Sequence, residues 1–352
     1  MNIEKLIRPN ILKLKPYSSA RDEYKGKKGV FLDANENSLG STAGAGLNRY
    51  PDPLAMSLKS EISKLKIIPA ENIFLGNGSD EAIDLVYRIF CEPGKSNVIL
   101  CPPTYGMYEV CANINDIKIK KVTLSSDYHL QVEKILDTTD KNTRLIFICS
   151  RNNPSANLMK QSDVRNLLKH FPGIVVLDEA YIDFASDDGF LKELHKHPNL
   201  IILQTFSKAW GAANIRLGMA FASKEIIQFF NNVKPPYNVN GVTQKLALKA
   251  LQNKTKKDAM VKEILSEKEI LKKEIAKMNF VEKIYPSDAN FMLVKVKNPN
   301  QLYNYLVSKK IIVRNRSNIE MCEGSLRITV GKKSENDKLL HCLKLYNSLL
   351  KN

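Results

Sequence analysis

The sequence predicts an α/β protein with a mostly parallel central sheet and a second, smaller α+β domain. The chain has 352 residues, of which 43% are hydrophobic, so it is long enough for more than one core. Between residues 72 and 231, short apolar runs alternate with segments of helical periodicity. Several of these runs end in polar residues, which is typical of buried parallel strands whose ends meet at one edge of a sheet.

The predicted elements of the first domain follow one another in a regular order. Residues 1–49 contain many breakers and predict irregular structure, and a turn at Tyr50-Pro51 leads into a helix near 54–66. Strands are then predicted at 72–75, 97–101, 144–149, 174–177, 200–204 and 217–222. Helices are predicted near 80–90, 105–112, 162–170 and 224–231. This alternation favours a parallel sheet with helices on both faces.

The C-terminal third of the chain has a different pattern. After Pro235-Pro236, apolar side chains recur at helical spacing, which predicts a long helical stretch over about 241–278. Short strands are predicted near 290–296, 311–314 and 326–330, with a helix at 301–309. We therefore expect residues 45–240 to form a large domain, and residues 1–44 together with 241–352 to form a small domain with an N-terminal arm.

The composition argues against several classes of protein. No apolar stretch approaches the roughly 20 residues that span a bilayer, and no secretory signal follows Met1, so we expect a soluble cytoplasmic protein without a membrane partner. The net charge of +16 raises nucleic-acid binding as an alternative, but the lysines are scattered and no nucleic-acid-binding motif is present. The six cysteines form no CxxC pair and the five histidines form no HExxH motif, so we expect reduced thiols and no metal site.

Two neighbouring strand ends carry the residues that a pyridoxal phosphate site needs. The run at 174–177 ends in Asp178, and the run at 200–204 is followed by Ser207 and Lys208. A lysine on one strand end and an aspartate on the next could hold this cofactor, the lysine through a Schiff base and the aspartate by pairing with the pyridinium nitrogen. Ser-Lys is by itself a common dipeptide, and an ordinary surface lysine is the alternative.

Other strand ends offer groups that suit the same ligand. The glycine-rich turn before Ser79 and Asp80 opens a helix whose backbone N–H groups could bind a phosphate, although a helix cap explains these residues equally well. Tyr105 could stack on a ring and the amide of Asn153 could bond a ring oxygen, with packing and an ordinary turn as the alternatives. Arg216, which precedes the last run, could clamp a phosphate. The shared position of these groups at strand ends predicts a single ligand site.

The order of these motifs resembles the class-II family of pyridoxal-phosphate-dependent aminotransferases, which have fold type I and are aspartate-aminotransferase-like. Within that family the sequence is most similar to the histidinol-phosphate aminotransferases. The shared motifs span nearly the whole chain and are found at 33–37 (DANEN), 49–52 (RYPD), 78–81 (GSDE), 101–108 (CPPTYGMY), 152–154 (NNP), 178–181 (DEAY), 207–209 (SKA), 215–218 (IRLG) and 326–331 (LRITVG). The sequence departs from the family's pattern at Ser155-Ala156, where Thr-Gly is common, and at Asn214, where a glycine is common.

The resemblance implies a role for each residue around the cofactor ring. Lys208 would form the Schiff base, and Asp178 would keep the pyridine nitrogen protonated. Tyr181 and Asn153 would bond the ring's phenolic oxygen, and Tyr105 would stack on the ring. Lys208, Asp178 and Tyr181 are the implied catalytic groups.

The resemblance also implies a binding site for the cofactor's phosphate. The backbone of Ser79 and Asp80 would hold it, together with Ser207 and Arg216. Tyr50 would reach the same phosphate from the partner subunit, which implies a homodimer with shared active sites.

A substrate site and a reaction follow from the same resemblance. Arg327 would bind the amino acid's carboxylate and Arg314 the substrate's phosphate, while Tyr17 and Asn35 would close over the substrate. The implied reaction interconverts L-histidinol phosphate and 2-oxoglutarate with imidazole acetol phosphate and L-glutamate, a step of histidine biosynthesis.

Three other activities stay open on this scaffold. One is transamination of aromatic amino acids, and a second is a lyase reaction like that of threonine-phosphate decarboxylase. The third is a non-enzymatic regulator that carries an added DNA-binding domain, which we do not expect because the match begins near residue 17.

Overall fold

A mostly parallel seven-stranded sheet forms the centre of the computed structural model, which describes residues 2–18, 29–185 and 187–350. Its strands are β1 (Ile73–Asn77), β2 (Asn97–Leu100), β3 (Lys118–Lys121), β4 (Thr143–Cys149), β5 (Ile174–Asp178), β6 (Leu200–Thr205) and β7 (Leu217–Phe221). Their order across the sheet is β1-β7-β6-β5-β4-β2-β3. The pairs among β2 to β6 are parallel, whereas β7 runs antiparallel to both of its neighbours, β1 and β6. The predicted α/β class with a mostly parallel sheet is confirmed.

Both faces of this sheet are buried. Alternate residues of β5 enter different cores, because Val175 and Leu177 pack on one face and Ile174 and Val176 on the other. Continuous apolar runs suit strands that are covered on both faces, which is why the sequence reveals the central strands so clearly. The edge strand β3 has the sequence Lys-Ile-Lys-Lys and is absent from the predicted strands, because its charges hide the strand signal. Lysines on an edge strand also discourage pairing with another chain.

Helices cover the two faces of the large sheet. Along the described residues they are α1 (Pro9–Leu12), α2 (Met56–Lys66), α3 (Gly78–Phe90), α4 (Met107–Ile114), α5 (Val132–Thr138), α6 (Gln161–His170) and α7 (Lys224–Val233). Short 3-10 turns lie at Ile3–Leu6, Ala70–Asn72, Ile182–Phe184, Leu191–Lys196 and Ala213–Ile215. Helix α3 buries Ala82, Val86 and Phe90 in the core and leaves Arg88 exposed, as its amphipathic sequence predicts.

A second, fully antiparallel sheet lies in the C-terminal third. Its strands are β8 (Val281–Ile284), β9 (Phe291–Val296), β10 (Arg314–Asn315) and β11 (Ser325–Thr329), in the order β10-β11-β9-β8. The helices of this part are α8 (Gly241–Gln252), α9 (Lys254–Ile275), α10 (Pro299–Ser308) and α11 (Lys333–Leu349). A separate core of α9, α10 and α11 side chains packs on this sheet, with Leu271, Leu306 and Leu343 at its centre.

The structure corrects the prediction for this region in three places. The helical stretch expected over 241–278 is two helices that meet at Asn253, whose side chain bonds the Lys249 carbonyl. The strand expected at 311–314 is shorter and begins only at Arg314, and β8 and α11 are additional elements. Within the described ranges, no helix combines the length and the apolar character that a membrane crossing requires.

Candidate active site

The antiparallel direction of β7 brings its first residue to the edge at which the parallel strands end. A cavity of about 580 Å³ opens at this edge. Most of the residues predicted from the sequence line it, namely Ser79, Asp80, Tyr105, Asn153, Asp178, Tyr181, Ser207, Lys208, Arg216, Arg314 and Arg327. The topology therefore explains why Arg216, which precedes a strand, joins residues that follow strands.

Three of the residues predicted for the site do not line this cavity. Tyr17, Asn35 and Tyr50 line a separate surface cleft, and the first and last of them are 75% and 51% exposed. The ring of Tyr50 stacks on Tyr237, with ring centroids 4.5 Å apart and an interplanar angle of 13°. Their roles in cofactor and substrate binding stay predictions.

Asp178, the last residue of β5, is a buried carboxylate at the floor of the cavity. The backbone N–H of Ala180 donates to its Oδ1 at 3.0 Å, and the hydroxyl of Tyr108 donates to its Oδ2 at 2.7 Å. Burial raises the pKa of Asp178 to about 6, although both hydrogen bonds act in the opposite direction because they favour the ionised form. A cationic group bound next to this carboxylate would lower its pKa and stabilise its ionised form.

Tyr108 is a site residue that the sequence analysis did not single out. Its side chain is fully buried, its ring stacks on Phe147 with centroids 4.8 Å apart, and it makes a T-shaped contact with the Tyr105 ring at 5.5 Å. Tyr108 stands within the CPPTYGMY motif, three residues after Tyr105, but only its burial against the end of β5 distinguishes it from a packing residue.

Lys208 follows β6 and extends into the cavity. Its Nζ lies 5.6 Å from the centroid of the Tyr181 ring. Burial lowers the pKa of Lys208, and repulsion from Arg327 lowers it further, whereas Asp178 and Asp80 oppose the shift. Both effects make the neutral amine more populated than in a surface lysine, and the neutral form is the one that can act as a nucleophile or a base.

The start of α3 provides backbone donors at one end of the cavity. The N–H of Gly78 donates to the Arg216 carbonyl at 2.8 Å, which ties the helix start to the beginning of β7. Gly78 and Arg216 both have left-handed backbone conformations, with φ of 73° and 51°. The first N–H groups of a helix have no intrahelical partner, so those of Ser79 and Asp80 are open to an anion.

The side chain of Asp80 is engaged with neighbouring residues. Its Oδ1 accepts a hydrogen bond from the Tyr105 hydroxyl at 3.1 Å, and its Oδ2 lies 3.4 Å from Nη2 of Arg216. On the other side, the hydroxyl of Thr205 donates to Ser207 Oγ at 3.0 Å and accepts the Ser207 N–H at 3.1 Å. Asp80 can lie beside an anion site because Arg216 offsets its negative charge.

The opposite wall of the cavity comes from the small sheet and is strongly basic. Arg314 on β10 stands directly opposite Arg327 on β11. Arg327 donates to Oδ1 of Asn153, and its guanidinium lies 5.2 Å from the centroid of the Phe291 ring. Arg316 lines the same cavity and is a second residue that the sequence analysis missed. The predicted strand ends at Arg314, so its spacing alone does not reveal Arg316, which the pairing of β10 with β11 brings to the cavity.

Similarity to known proteins agrees with this geometry. The sequence model of the family "Aminotransferase class I and II" matches residues 22–343. A histidinol-phosphate aminotransferase from Cytophaga hutchinsonii is 53% identical over 345 residues, which cover 98% of this chain and 99% of that protein.

Two solved structures share the fold. The histidinol-phosphate aminotransferase from Clostridium acetobutylicum matches with a TM-score of 0.79 at 24% identity, covering 86% of this chain and 91% of that one. The enzyme of the same name from Sinorhizobium meliloti, in complex with pyridoxal-5'-phosphate, matches with a TM-score of 0.79 at 21% identity and covers 90% of both chains. The chain therefore belongs to the class I and II aminotransferases and, by its near full-length identity, to the histidinol-phosphate aminotransferase family.

Proposed function

We propose that this protein is a pyridoxal-phosphate-dependent histidinol-phosphate transaminase. It exchanges an amino group between L-histidinol phosphate and 2-oxoglutarate, giving imidazole acetol phosphate and L-glutamate, as a step of histidine biosynthesis. Relatives of that name match over nearly the full length of the chain, which supports the proposal. The observation that carries it is a single cavity that combines Lys208, the buried carboxylate of Asp178 and the facing arginines Arg314 and Arg327.

The residues of the cavity fit pyridoxal phosphate. Asp178 is a buried carboxylate whose hydrogen-bond partners are neutral groups, so a protonated ring nitrogen would supply the missing positive charge. The open N–H groups of Ser79 and Asp80 and the guanidinium of Arg216 suit the cofactor's phosphate. When bound, the cofactor supplies an electron sink for the substrate's α-carbon, and Lys208 is the residue that would hold it covalently.

Lys208 is also the group that would move the substrate's proton. Because burial and Arg327 lower its pKa, more of its amine is neutral near pH 7 to 8 than in a surface lysine. Once the substrate's amino group has displaced Lys208 from the cofactor, its freed neutral amine would take the proton from the substrate's α-carbon and pass it to the cofactor's imine carbon. Burial raises the pKa of Tyr181, so its hydroxyl stays protonated and would donate a hydrogen bond to the cofactor's phenolic oxygen beside Asn153.

The proposal includes a cytoplasmic homodimer with shared active sites. Tyr50, Tyr17 and Asn35 lie outside the cavity of their own chain and in one cleft, so a partner copy would supply Tyr50 to the cofactor's phosphate. The large domain of residues 45–240 would hold the cofactor. The small domain, residues 1–44 and 241–352, would hold the substrate through its arginines.

The half-reaction with amino donors tests this function. Purified protein mixed with pyridoxal phosphate should develop a visible absorption band, which Lys208→Ala abolishes. Lys192→Ala is the matched control, since that exposed lysine pairs with the exposed Asp188 on the surface, and it should keep the band. Histidinol phosphate should discharge the band of the wild-type protein far faster than phenylalanine does.

Each alternative activity has its own signature in the same assay. Discharge by phenylalanine and not by histidinol phosphate would assign an aromatic aminotransferase. Release of carbon dioxide from threonine phosphate would assign a lyase. Absence of a visible band in the wild-type protein would refute the cofactor itself.

A further inference from the structure

We propose that Arg316 is a specificity-determining residue that, with Arg314 and Arg327, makes the substrate wall of the cavity select a phosphate dianion over a single carboxylate. The proposal rests on the function proposed above and extends it to a third arginine. All three arginines line the cavity that contains Lys208. Four features of the structure support it: the shared face of the arginines, their missing counter-charge, the unpartnered Nε of Arg316 and the hydrogen-bonded backbone that carries Arg316.

The pairing of β10 with β11 places the three arginines on one surface. Arg314 stands opposite Arg327, and the N–H of Arg316 donates to the Ser325 carbonyl at 2.9 Å, which continues the pairing. Alternate residues of an extended strand point to the same face. Arg316 therefore follows Arg314 on the face that lines the cavity.

No carboxylate neutralises this cluster among the residues that the structure describes. The two carboxylates that line the cavity, Asp80 and Asp178, are bonded to other groups, the first to Arg216 and Tyr105 and the second to Tyr108 and Ala180. Like charges on facing strand positions destabilise a sheet. An anion that binds between the three arginines would offset this repulsion, which accounts for their close arrangement.

Arg316 has unused bonding capacity as well as unbalanced charge. Its Nε is buried and has no hydrogen-bond partner in residues 2–18, 29–185 and 187–350. Burial and repulsion from Arg314 lower the pKa of Arg316, and burial with repulsion from its two neighbours lowers that of Arg327. Both pKa values are lowered, as expected for guanidinium groups that lie close together without a bound anion.

The backbone around Arg316 is fixed. Its carbonyl accepts the N–H of Ile319 at 2.9 Å, and further along the turn the hydroxyl of Tyr128 donates to the Met321 carbonyl at 2.6 Å. Tyr128 belongs to the core of the large sheet. The turn that carries Arg316 is thus hydrogen-bonded to the large-sheet part of the molecule. Its backbone therefore loses little conformational entropy when an anion binds.

The candidate substrates differ in what they offer to a third guanidinium. A phosphate ester carries a charge of roughly −1.5 to −2 near pH 7 and three acceptor oxygens, enough to engage three arginines. Glutamate also brings two negative charges, on two carboxylates. An aromatic amino acid brings one carboxylate and would leave Arg316 desolvated without an anion, which disfavours its binding.

Substitution of Arg316 tests the proposal through a ratio of two substrates. In Arg316→Gln, kcat/KM for histidinol phosphate should fall about 10- to 100-fold, the size expected for losing a charged hydrogen bond, while the value for phenylalanine stays within about 3-fold. Arg316→Lys should recover part of the loss, because lysine restores charge without the planar fork. Equal losses on both substrates, or no loss on either, would overturn the proposal.

A binding measurement separates this proposal from the proposed function. Inorganic phosphate is titrated calorimetrically into holoenzyme that keeps its visible band, and Arg316→Gln should weaken the affinity about 10-fold. Arg88→Gln is the control, since Arg88 is exposed on α3 and pairs with Asp84, and it should bind phosphate as the wild type does. If the wild type ignored histidinol phosphate, the proposed function would fail, and the titration would still decide the role of Arg316, because unchanged affinity overturns it.

Discussion

The hydrogen bond from Tyr108 to Asp178 controls the charge at the floor of the cavity. Burial moves the pKa of Asp178 up to about 6, and the Tyr108 hydroxyl pulls it back down because it stabilises the ionised form. The carboxylate must be ionised to hold a protonated ring nitrogen. In the cofactor-free protein, affinity for the cofactor should therefore be highest well above pH 6 and should decline as the pH falls through about 6.

Tyr108→Phe should shift that decline to higher pH. Loss of the hydroxyl raises the pKa of Asp178 further, so at pH 7 a larger fraction of the carboxylate is protonated. We expect affinity for pyridoxal phosphate to fall about 1.5- to 4-fold at pH 7, and about 5- to 30-fold well below pH 6, where the full ~1–2 kcal/mol of one buried hydrogen bond is lost. The single tryptophan, Trp210, lies two residues from Lys208, so quenching of its fluorescence reports cofactor binding across the pH series.

Tyr87→Phe is the control for this substitution. Tyr87 is equally buried, and its hydroxyl donates to the Tyr108 carbonyl at 2.8 Å without contacting Asp178. It should lower the free energy of unfolding by a similar amount and leave the pH midpoint of cofactor binding unchanged. A midpoint that moves in both variants, or in neither, would contradict the role given to Tyr108.

At the scale of elements, the contact between α3 and β7 shapes the proposed phosphate site. A Cβ on Gly218 of β7 would lie 2.1 Å from the backbone nitrogen of Ser79, and one on Gly78 would lie 2.7 Å from Nη2 of Arg216. The first clash is with backbone, which cannot move aside by changing a rotamer. The strand and the helix start can therefore approach this closely only through glycine.

Gly218→Ala should push the start of α3 away from β7. We expect the free energy of unfolding to fall by about 1–3 kcal/mol and cofactor affinity to fall with it, because the N–H groups of Ser79 and Asp80 are displaced. Urea unfolding and fluorescence titration measure the two effects. Gly241→Ala, whose Cβ would have only an ordinary contact at 3.6 Å with Pro51, should change neither beyond about 1 kcal/mol. Unaltered cofactor binding in Gly218→Ala would refute the backbone role assigned to the helix start.

The elements also mark the limit of what the sequence could reveal. The strands β4, β5 and β6 are apolar runs covered on both faces, so the sequence predicts them and the polar residues at their ends. The charged strand β3 and the half-exposed β8 carry no such signal and are absent from the prediction. Both lie at the edge of a sheet, β3 beside β2 and β8 beside β9, and an edge strand that is half exposed needs no continuous apolar run.

The same limit applies to the site residues. Lys208 and Asp178 stand out because a lysine and an aspartate at strand ends have a recognisable chemistry. Arg316 becomes recognisable only through the register of β10 against β11, and Tyr108 only through its contact with β5. The roles of Tyr17, Asn35 and Tyr50 are inferred from the family resemblance alone, because neither residue chemistry nor one copy of the chain shows a role that involves a second copy.

At the scale of the whole molecule, the proposed shared site makes two inactive variants complement each other. Lys208→Ala removes the group proposed for catalysis, and Tyr50→Ala removes the group proposed to act on the partner subunit. Dimers assembled from equal amounts of both should recover about a quarter of the wild-type activity, because half of them are mixed and each mixed dimer has one intact site. Activity is measured after co-refolding of the two chains.

The unmixed variants provide the baseline for this experiment. Each should stay close to inactive when refolded alone, and size-exclusion chromatography should give the same dimer for both. No recovery on mixing would show that Tyr50 does not act across a subunit boundary.

The two-residue strand β10 has a consequence for how this enzyme can diverge. The groups proposed to carry out the chemistry stand at the edge of the large sheet, whereas the three arginines proposed to select the substrate's anion stand on one short hairpin spanning residues 314–327 of the small sheet. Mutational drift along that hairpin can retune selectivity while the reacting groups stay untouched. Substrate selectivity in such a family can therefore change through substitutions in the hairpin, while the catalytic residues stay the same. The hairpin is also the first segment to exchange when a new substrate specificity is engineered.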